Sequence, residues 1–188
     1  MKNIILVTLA SIITGAFSIS ALAVQSNQGH GTVKFTGEII DAPCSISTDS
    51  IKQEIDLGQV SNTSLAKGGS SAPRSFSIKL EDCVFPTDAP NDKVKITFSG
   101  SGAGFNSKLL GVTGLNPEEG KVQNVGIQIT DSNGLPINMG MSSSQAVQLQ
   151  KGDNILQYSA YVQGADVEVD SIPLGKFEGI TTFTLSYN

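Results

Sequence analysis

The chain has 188 residues, of which 39% are hydrophobic and 15% are charged, and its formal net charge is −5 at pH 7. Nucleic acid and anionic lipid are poor partners for such a chain, because both are bound by clustered positive charge and the sequence contains no run of lysine or arginine. The length and the apolar content are sufficient for one domain with its own core.

The first residues have the pattern of a cleavable secretory signal. Lys2 precedes an apolar stretch at residues 4–17, which is followed by the small-residue ending Ala-Leu-Ala at 21–23. The alternative, a membrane anchor, is disfavoured because polar residues such as Thr8 interrupt the apolar run. We expect residues 1–23 to be removed during export, leaving a single mature domain.

Cys44 and Cys83 are the only cysteines in the sequence. An exported protein meets an oxidising compartment, so an isolated pair of cysteines predicts a structural disulfide. A zinc site needs additional histidine or cysteine ligands, and none lies near either residue in the sequence. We therefore expect a Cys44–Cys83 disulfide and no metal.

Apolar and polar residues alternate along most of the remaining chain, which is the period of a half-buried β-strand. A period of 3.6 residues, typical of helices, hardly occurs. The predicted strands lie at residues 33–40, 76–80, 94–98, 125–129 and 183–187, with further strands expected at 55–57, 147–149 and 155–162.

Clusters of glycine, proline, asparagine and serine separate these segments and predict turns. Seven or eight short strands with turns between them are typical of an all-β sandwich of the immunoglobulin type. Tryptophan is absent, so the Cys-Trp-Cys core of antibody domains is not reproduced. One helical turn is expected at residues 61–65. The predicted turns are at 67–73, 86–91, 100–104, 116–117, 132–134 and 151–154.

No constellation of catalytic residues is recognisable. His30 is the only histidine, which removes histidine-cluster metal sites, and no G-x-S-x-G motif supports a triad built on it. The glycine-rich stretch 100–104 lacks the lysine of a phosphate-binding loop and is interpreted as a turn. The sequon at 62–64 is too short a pattern to carry weight. We expect neither an enzyme nor a cofactor.

Five segments together resemble a known family, the subunits of chaperone–usher pili, and most of all the major pilins of P pili and type 1 fimbriae. They are "GTVKFTGEIIDAPCSI", "IDLGQVS", "FSIKLEDC", "NVGIQITDSNG" and "TTFTLSYN". The ending also agrees with the family's chaperone-recognition pattern, since Tyr187 is the penultimate residue and Gly175 is the fourteenth counted back from Asn188.

The resemblance implies an incomplete immunoglobulin-like sandwich that lacks its last strand and is completed by donor-strand exchange. Residues 24–42 would be the N-terminal extension that donates a strand, and residues 43–188 the pilin domain. The implied partners are a periplasmic pilus chaperone, an outer-membrane usher, other copies of the chain and other minor pilins. The protein would pass through the periplasm to a fimbria at the cell surface, where it supports cell adhesion.

The resemblance also assigns roles to particular residues. Val33, Phe35, Gly37 and Ile39 would be the donor residues that point into successive pockets of a neighbouring subunit. Phe35 would start the exchange, and Gly37 would fit a shallow pocket that admits no side chain.

The acceptor side is expected at the C-terminal strand. Phe183, Leu185 and Tyr187 would line the groove or the chaperone contact, together with Gly175 of the chaperone-recognition ending. The alternative, that these alternating residues are ordinary sandwich core, stays open from the sequence.

Two other functions stay open as well. One is a minor adaptor or terminator pilin of the same organelle. The other, from a different class, is a monomeric secreted carbohydrate-binding β-domain, which the scarcity of aromatic residues disfavours because sugars stack on aromatic rings.

Overall fold

A computed structural model of the chain describes residues 29, 31–88, 91–115 and 123–188. The expected signal peptide at 1–23, His30 and the predicted turn at 116–117 lie outside these residues. The chain divides into two compact units, Met1–Ile39 and Ile40–Asn188. In the first unit the described residues form neither helix nor strand, whereas the second unit contains the regular structure.

The second unit is built mostly from antiparallel strands, with helical structure limited to single turns. No helix in the described ranges is long and apolar enough to cross a membrane. The strands are β1 Ser45–Ile46, β2 Arg74–Cys83, β3 Lys93–Ser99, β4 Gly102–Ala103, β5 Asn106–Gly111, β6 Val125–Asp131, β7 Pro136–Ile137, β8 Val147–Gln148, β9 Gly152–Gly164 and β10 Thr182–Tyr187. The helices are α1 Thr48–Ile51 and α2 Asn62–Leu65, with 3₁₀ turns at Ala66–Gly68 and Val169–Ser171.

The strands form two sheets. The larger has the order β1-β2-β9-β6-β5-β4, with β7 paired to β6, and the smaller has the order β10-β3-β8. Every pairing is antiparallel. Strands β2 and β9 form the longest pairing of the larger sheet, and β3 is the central strand of the smaller one.

The core contains buried side chains from both sheets. Ile78 of β2 and Leu156 of β9 are buried together with Ile96 of β3. The ring centroid of Phe98 on β3 lies 6.2 Å from that of Phe76 and 5.6 Å from that of Tyr158, both on the larger sheet. Edge-to-face aromatic contacts of this kind add to the area burial that holds the sheets together.

Most of the strands predicted from alternation are confirmed. They correspond to β2, β3, β6, β9 and β10, with the predicted strand at 147–149 reduced to the two residues of β8. The helical turn expected at 61–65 is confirmed as α2. Alternation succeeds in these cases because one face of each strand packs on the core.

The strand expected at 55–57 is wrong. Ile55 and Leu57 do alternate with exposed neighbours, but this stretch forms no strand. The backbone N–H of Gly58 instead donates to the Asp56 side chain at 2.8 Å, and Gly58 has a φ of +75°. A local turn made by an aspartate side chain and a glycine has replaced strand pairing here.

The segment 33–40 is likewise not a strand in this single chain. A strand requires main-chain partners, and alternation of side chains alone does not supply them. The sequence also missed β1, β4, β5 and β7. In β5 the consecutive Leu109 and Leu110 are both buried, so the strand lacks the alternating pattern by which it could have been found.

The predicted disulfide between Cys44 and Cys83 is present. Cys44 immediately precedes β1, and Cys83 is the last residue of β2, to which β1 is paired. The N–H of Val84 donates to the carbonyl of Pro43 at 2.9 Å, which continues this pairing past the bridge. The disulfide therefore fixes the start of the second unit to one of its longest strands.

We expect loss of this bridge to destabilise the protein strongly. The cysteines are 39 residues apart in the sequence, and a loop of this length corresponds to about 4 kcal/mol of stabilisation in the chain-entropy model. Cys83→Ser should therefore lower the urea midpoint and prevent accumulation in the periplasm. The double variant Cys44→Ser/Cys83→Ser is the control for a free thiol and should behave alike. Wild-type levels of both would contradict a structural role.

We also expect the protein to lose stability at high pH. Burial raises the pKa of Tyr158, and the nearby charge of Asp131 raises it further. Above about pH 10 the tyrosine ionises in the unfolded chain but keeps its proton in the folded one, so the free energy of unfolding falls by up to about 1.4 kcal/mol per pH unit. Circular dichroism during denaturation should show this slope and its reduction in Tyr158→Phe. An unchanged slope would contradict the assignment.

Candidate functional site

The C-terminal strand β10 has a partner on one side only among the described residues. It is the terminal strand of the smaller sheet and pairs with β3 over its whole length, from Thr182↔Ser99 to Tyr187↔Val94. Beyond the strand, Asn188 and Lys93 exchange both main-chain hydrogen bonds, at 2.9 and 3.1 Å.

This pair determines which main-chain groups face outward. In an antiparallel ladder, hydrogen-bonded pairs alternate with pairs whose N–H and C=O groups point away from each other. Because Asn188 and Lys93 are hydrogen-bonded, the N–H and C=O groups of Phe183, Leu185 and Tyr187 point away from β3. Among the described residues they have no main-chain partner, so they form an open edge that can accept another strand, and we call it the acceptor edge.

The side chains of these three residues are half-buried and pack against the core. The ring of Phe183 lies 6.5 Å from that of Phe98, which joins it to the aromatic contacts between the sheets. Burial raises the pKa of Tyr187. The acceptor edge therefore combines free hydrogen-bonding groups with apolar side chains that retain accessible surface.

Gly175 lies in the loop that leads towards β10. Its φ of +134° is a backbone conformation that residues with side chains rarely adopt. With Leu115, Leu174 and Phe177 it lines a cavity of about 70 Å³. No side chain of β10 lines this cavity.

The predicted donor residues carry exposed apolar side chains. Val33, Phe35 and Ile39 are 75%, 89% and 102% exposed, values that are unusual for large apolar residues in a folded chain. A Cβ atom added at Gly37 would have no atom within 4 Å. Nothing in the described chain thus requires glycine at this position, and its φ is not in the left-handed region.

The described residues offer no alternative chemical site. They contain no group of three or more histidine, cysteine, aspartate or glutamate residues that could hold a metal. A second cavity, of about 260 Å³, is lined by residues such as Gly102, Ala103 and Val112 and by no aromatic ring. Ligand pockets are usually larger and contain convergent polar groups. The main feature is therefore an edge that can accept a strand.

Comparison with known proteins identifies the family. The sequence model of the family described as "Fimbrial protein" matches residues 33–188. The chain is 42% identical over 173 residues to the major MR/P fimbria protein of Proteus mirabilis, covering 92% of this chain and 93% of that protein. The chain belongs to the fimbrial protein family.

Two solved structures extend the match to the fold. The P pilus rod subunit PapA is 30% identical, with a TM-score of 0.66, and the match covers 78% of this chain and all of that one. A chaperone–usher pilus, described for the uncoiling of its rod, is 30% identical with a TM-score of 0.67, over 86% of this chain and 97% of that one. The predicted resemblance to major pilins is confirmed.

This pilin is a structural subunit of a fimbria at the cell surface and is not an enzyme. The relatives that it matches include a major fimbria protein and a pilus rod subunit, which favours the rod over an adaptor or terminator. Sequence reasoning found the residues of the C-terminal strand but could not show that one edge of that strand is open. The alternation of apolar and polar residues indicates which face of a strand is buried, but it does not indicate which main-chain groups are hydrogen-bonded within the sheet.

Proposed function

We propose that this pilin polymerises by donor-strand exchange, in which residues 24–42 of one copy add a strand to the acceptor edge of the next. The observation that carries the proposal is the occurrence, on one chain, of an exposed apolar segment and an open strand edge. Each is unfavourable alone, because exposed apolar area and unpaired edge groups both promote aggregation. Adding the segment to the edge covers the apolar side chains and pairs the main-chain groups of the edge.

The two elements have matching periods. The donor residues Val33, Phe35, Gly37 and Ile39 occur at every second position, as do Phe183, Leu185 and Tyr187 of the acceptor edge. A step of two residues along a strand is about 6.8 Å, so the side chains of the donor segment have the same spacing as the residues of the acceptor edge. Four donor positions are longer than three acceptor positions, so one donor residue must lie beyond the end of β10.

The contact would produce an open polymer. Donor and acceptor are different parts of one molecule, so each copy uses one to bind the copy before it and the other to bind the copy after it. A heterologous contact of this kind continues indefinitely unless the rotation closes a ring. This agrees with a relative known as a P pilus rod subunit and with one seen in a pilus.

The energies are sufficient for a durable fibre. Burial of Val33, Phe35 and Ile39 contributes about 1.5–3 kcal/mol each. Each main-chain hydrogen bond to the acceptor edge adds about 1 kcal/mol. The total is comparable to the whole stability of a typical domain, so dissociation should be very slow.

Before assembly the acceptor edge needs protection. We propose that a periplasmic chaperone fills it with a strand of its own until an outer-membrane usher brings the next donor segment, which is the same mode of strand addition in both steps. In this view the pilin is an immunoglobulin-like sandwich without its last strand. Gly175 and Tyr187 would belong to the chaperone-recognition ending.

We expect Gly37→Asn to block subunit joining without harming the free chain. The free chain has open space at this position, so only the proposed shallow pocket of the neighbour would reject the side chain. Thr36→Asn introduces the same side chain one residue earlier, on the opposite face of a strand, and should assemble normally. Electron microscopy of fimbriae on cells gives the answer. Normal fimbriae from Gly37→Asn would contradict the role of this glycine.

Multimers of the mature pilin should resist mild SDS and separate only on strong heating, because donor strands buried along their length dissociate slowly. Gel electrophoresis of fimbriae with and without boiling tests this, and the Gly37→Asn chain serves as the monomeric reference. A single monomer band from gently extracted wild-type cells would count against strand exchange.

A further inference from the structure

The side of β3 that faces away from β10 is paired within the chain itself. Val94, Ile96 and Phe98 of β3 have main-chain groups that point away from β10, because their neighbours Lys93 and Lys95 lie at hydrogen-bonded positions of that ladder. Without partners, these groups would form another acceptor edge.

Residues 138–149, which we call the edge-closing segment, provide those partners. The N–H of Gly140 donates to the carbonyl of Phe98 at 2.7 Å, and the N–H of Ser143 donates to the carbonyl of Ile96 at 2.7 Å. Further along, β8 pairs with the start of β3, through Val94↔Val147. The partners thus follow the alternate positions of β3.

Ser143 binds Ile96 twice. Besides its N–H, its hydroxyl oxygen accepts the N–H of Ile96 at 3.3 Å and donates to the carbonyl of Gln145 at 2.9 Å. Ser143 is 6% exposed, unlike the exposed Ser142 and Ser144 on either side of it. One buried serine therefore satisfies both main-chain groups of the central residue of this edge.

The edge-closing segment also supplies apolar side chains. Leu149 is 4% exposed, and Met139 packs against the core. The edge-closing segment thus gives β3 both hydrogen bonds and apolar side chains in the core. The proposed donor strand of another copy would give β10 the same two things. The smaller sheet is thus completed on one side within the chain and left open on the other.

We propose that residues 138–149 are the specificity-determining element of strand exchange, and that Ser143 is their positioning residue. The segment excludes donor strands from the β3 side, so that each subunit accepts one strand and only at β10. This inference rests on the proposed function. A second open edge would allow branching and aggregation in place of a linear fibre.

The test counts donor peptides per subunit. The parent is the mature chain carrying Gly37→Asn, so that its own extension does not compete, and the probe is a peptide of residues 24–42 with the natural sequence. Ser143→Pro removes both hydrogen bonds to Ile96, Ser143→Ala removes only the one to the hydroxyl, and the exposed Ser144→Ala is the matched control. Each chain is refolded with excess peptide and examined by native mass spectrometry.

We expect one peptide on the parent and on Ser144→Ala, and a second peptide on Ser143→Pro. In Ser143→Ala the amide hydrogen of Ile96 should exchange about fivefold faster, as expected for loss of about 1 kcal/mol. A general loss of stability would speed exchange throughout the core, so the effect should be confined to β3 and the edge-closing segment.

One peptide on a folded Ser143→Pro chain would overturn the inference while leaving the proposed function intact. If Ser143→Pro does not fold, the test rests on Ser143→Ala. An unchanged rate of amide hydrogen exchange at Ile96, together with a single bound peptide, would then overturn the inference. A parent chain that binds no peptide contradicts the proposed function, and with it this inference, so the two failures give different results.

Discussion

The unpaired main-chain groups of Phe183, Leu185 and Tyr187 are the constraint on which the rest of this pilin depends. Main-chain N–H and C=O groups beside a hydrophobic core must find partners, because leaving them dry and unpaired costs as much as losing a hydrogen bond. Among the described residues, strand β10 meets this requirement on the side of β3 and not on the other. In the proposed polymer, a neighbouring copy supplies the missing partner.

The two sides of β3 and β10 differ in how their main-chain groups are paired. On the far side of β3, Gly140 and Ser143 complete the main-chain pairing, and Leu149 enters the core. The disulfide between Cys44 and Cys83 attaches the beginning of the second unit to β2. Among the described residues, the outer side of β10 has no main-chain partner and lies beside half-buried apolar side chains, which is where the proposed donor strand would add.

The exposed segment around Phe35 has the complementary problem. Its apolar side chains are exposed in the described chain, and exposed apolar area promotes aggregation unless another surface covers it. The chain belongs to the fimbrial protein family, and a relative has been solved as part of a chaperone–usher pilus, which agrees with the proposed joining of copies. No contact among the described residues requires a glycine at position 37, which is compatible with the proposed fit of Gly37 to a neighbouring copy.

The sequence by itself determined the predominance of strands, the pairing of the two cysteines and the family, because side-chain alternation, cysteine number and motif order are properties of the chain. It also located β2, β3, β6, β9 and β10. It failed at residues 55–57, where the turn at Asp56 competes with pairing, and at β5, where adjacent leucines are both buried. Only the tertiary structure decided which strand edges are open, because main-chain hydrogen bonds depend on which strands become neighbours, and residue types do not encode that directly.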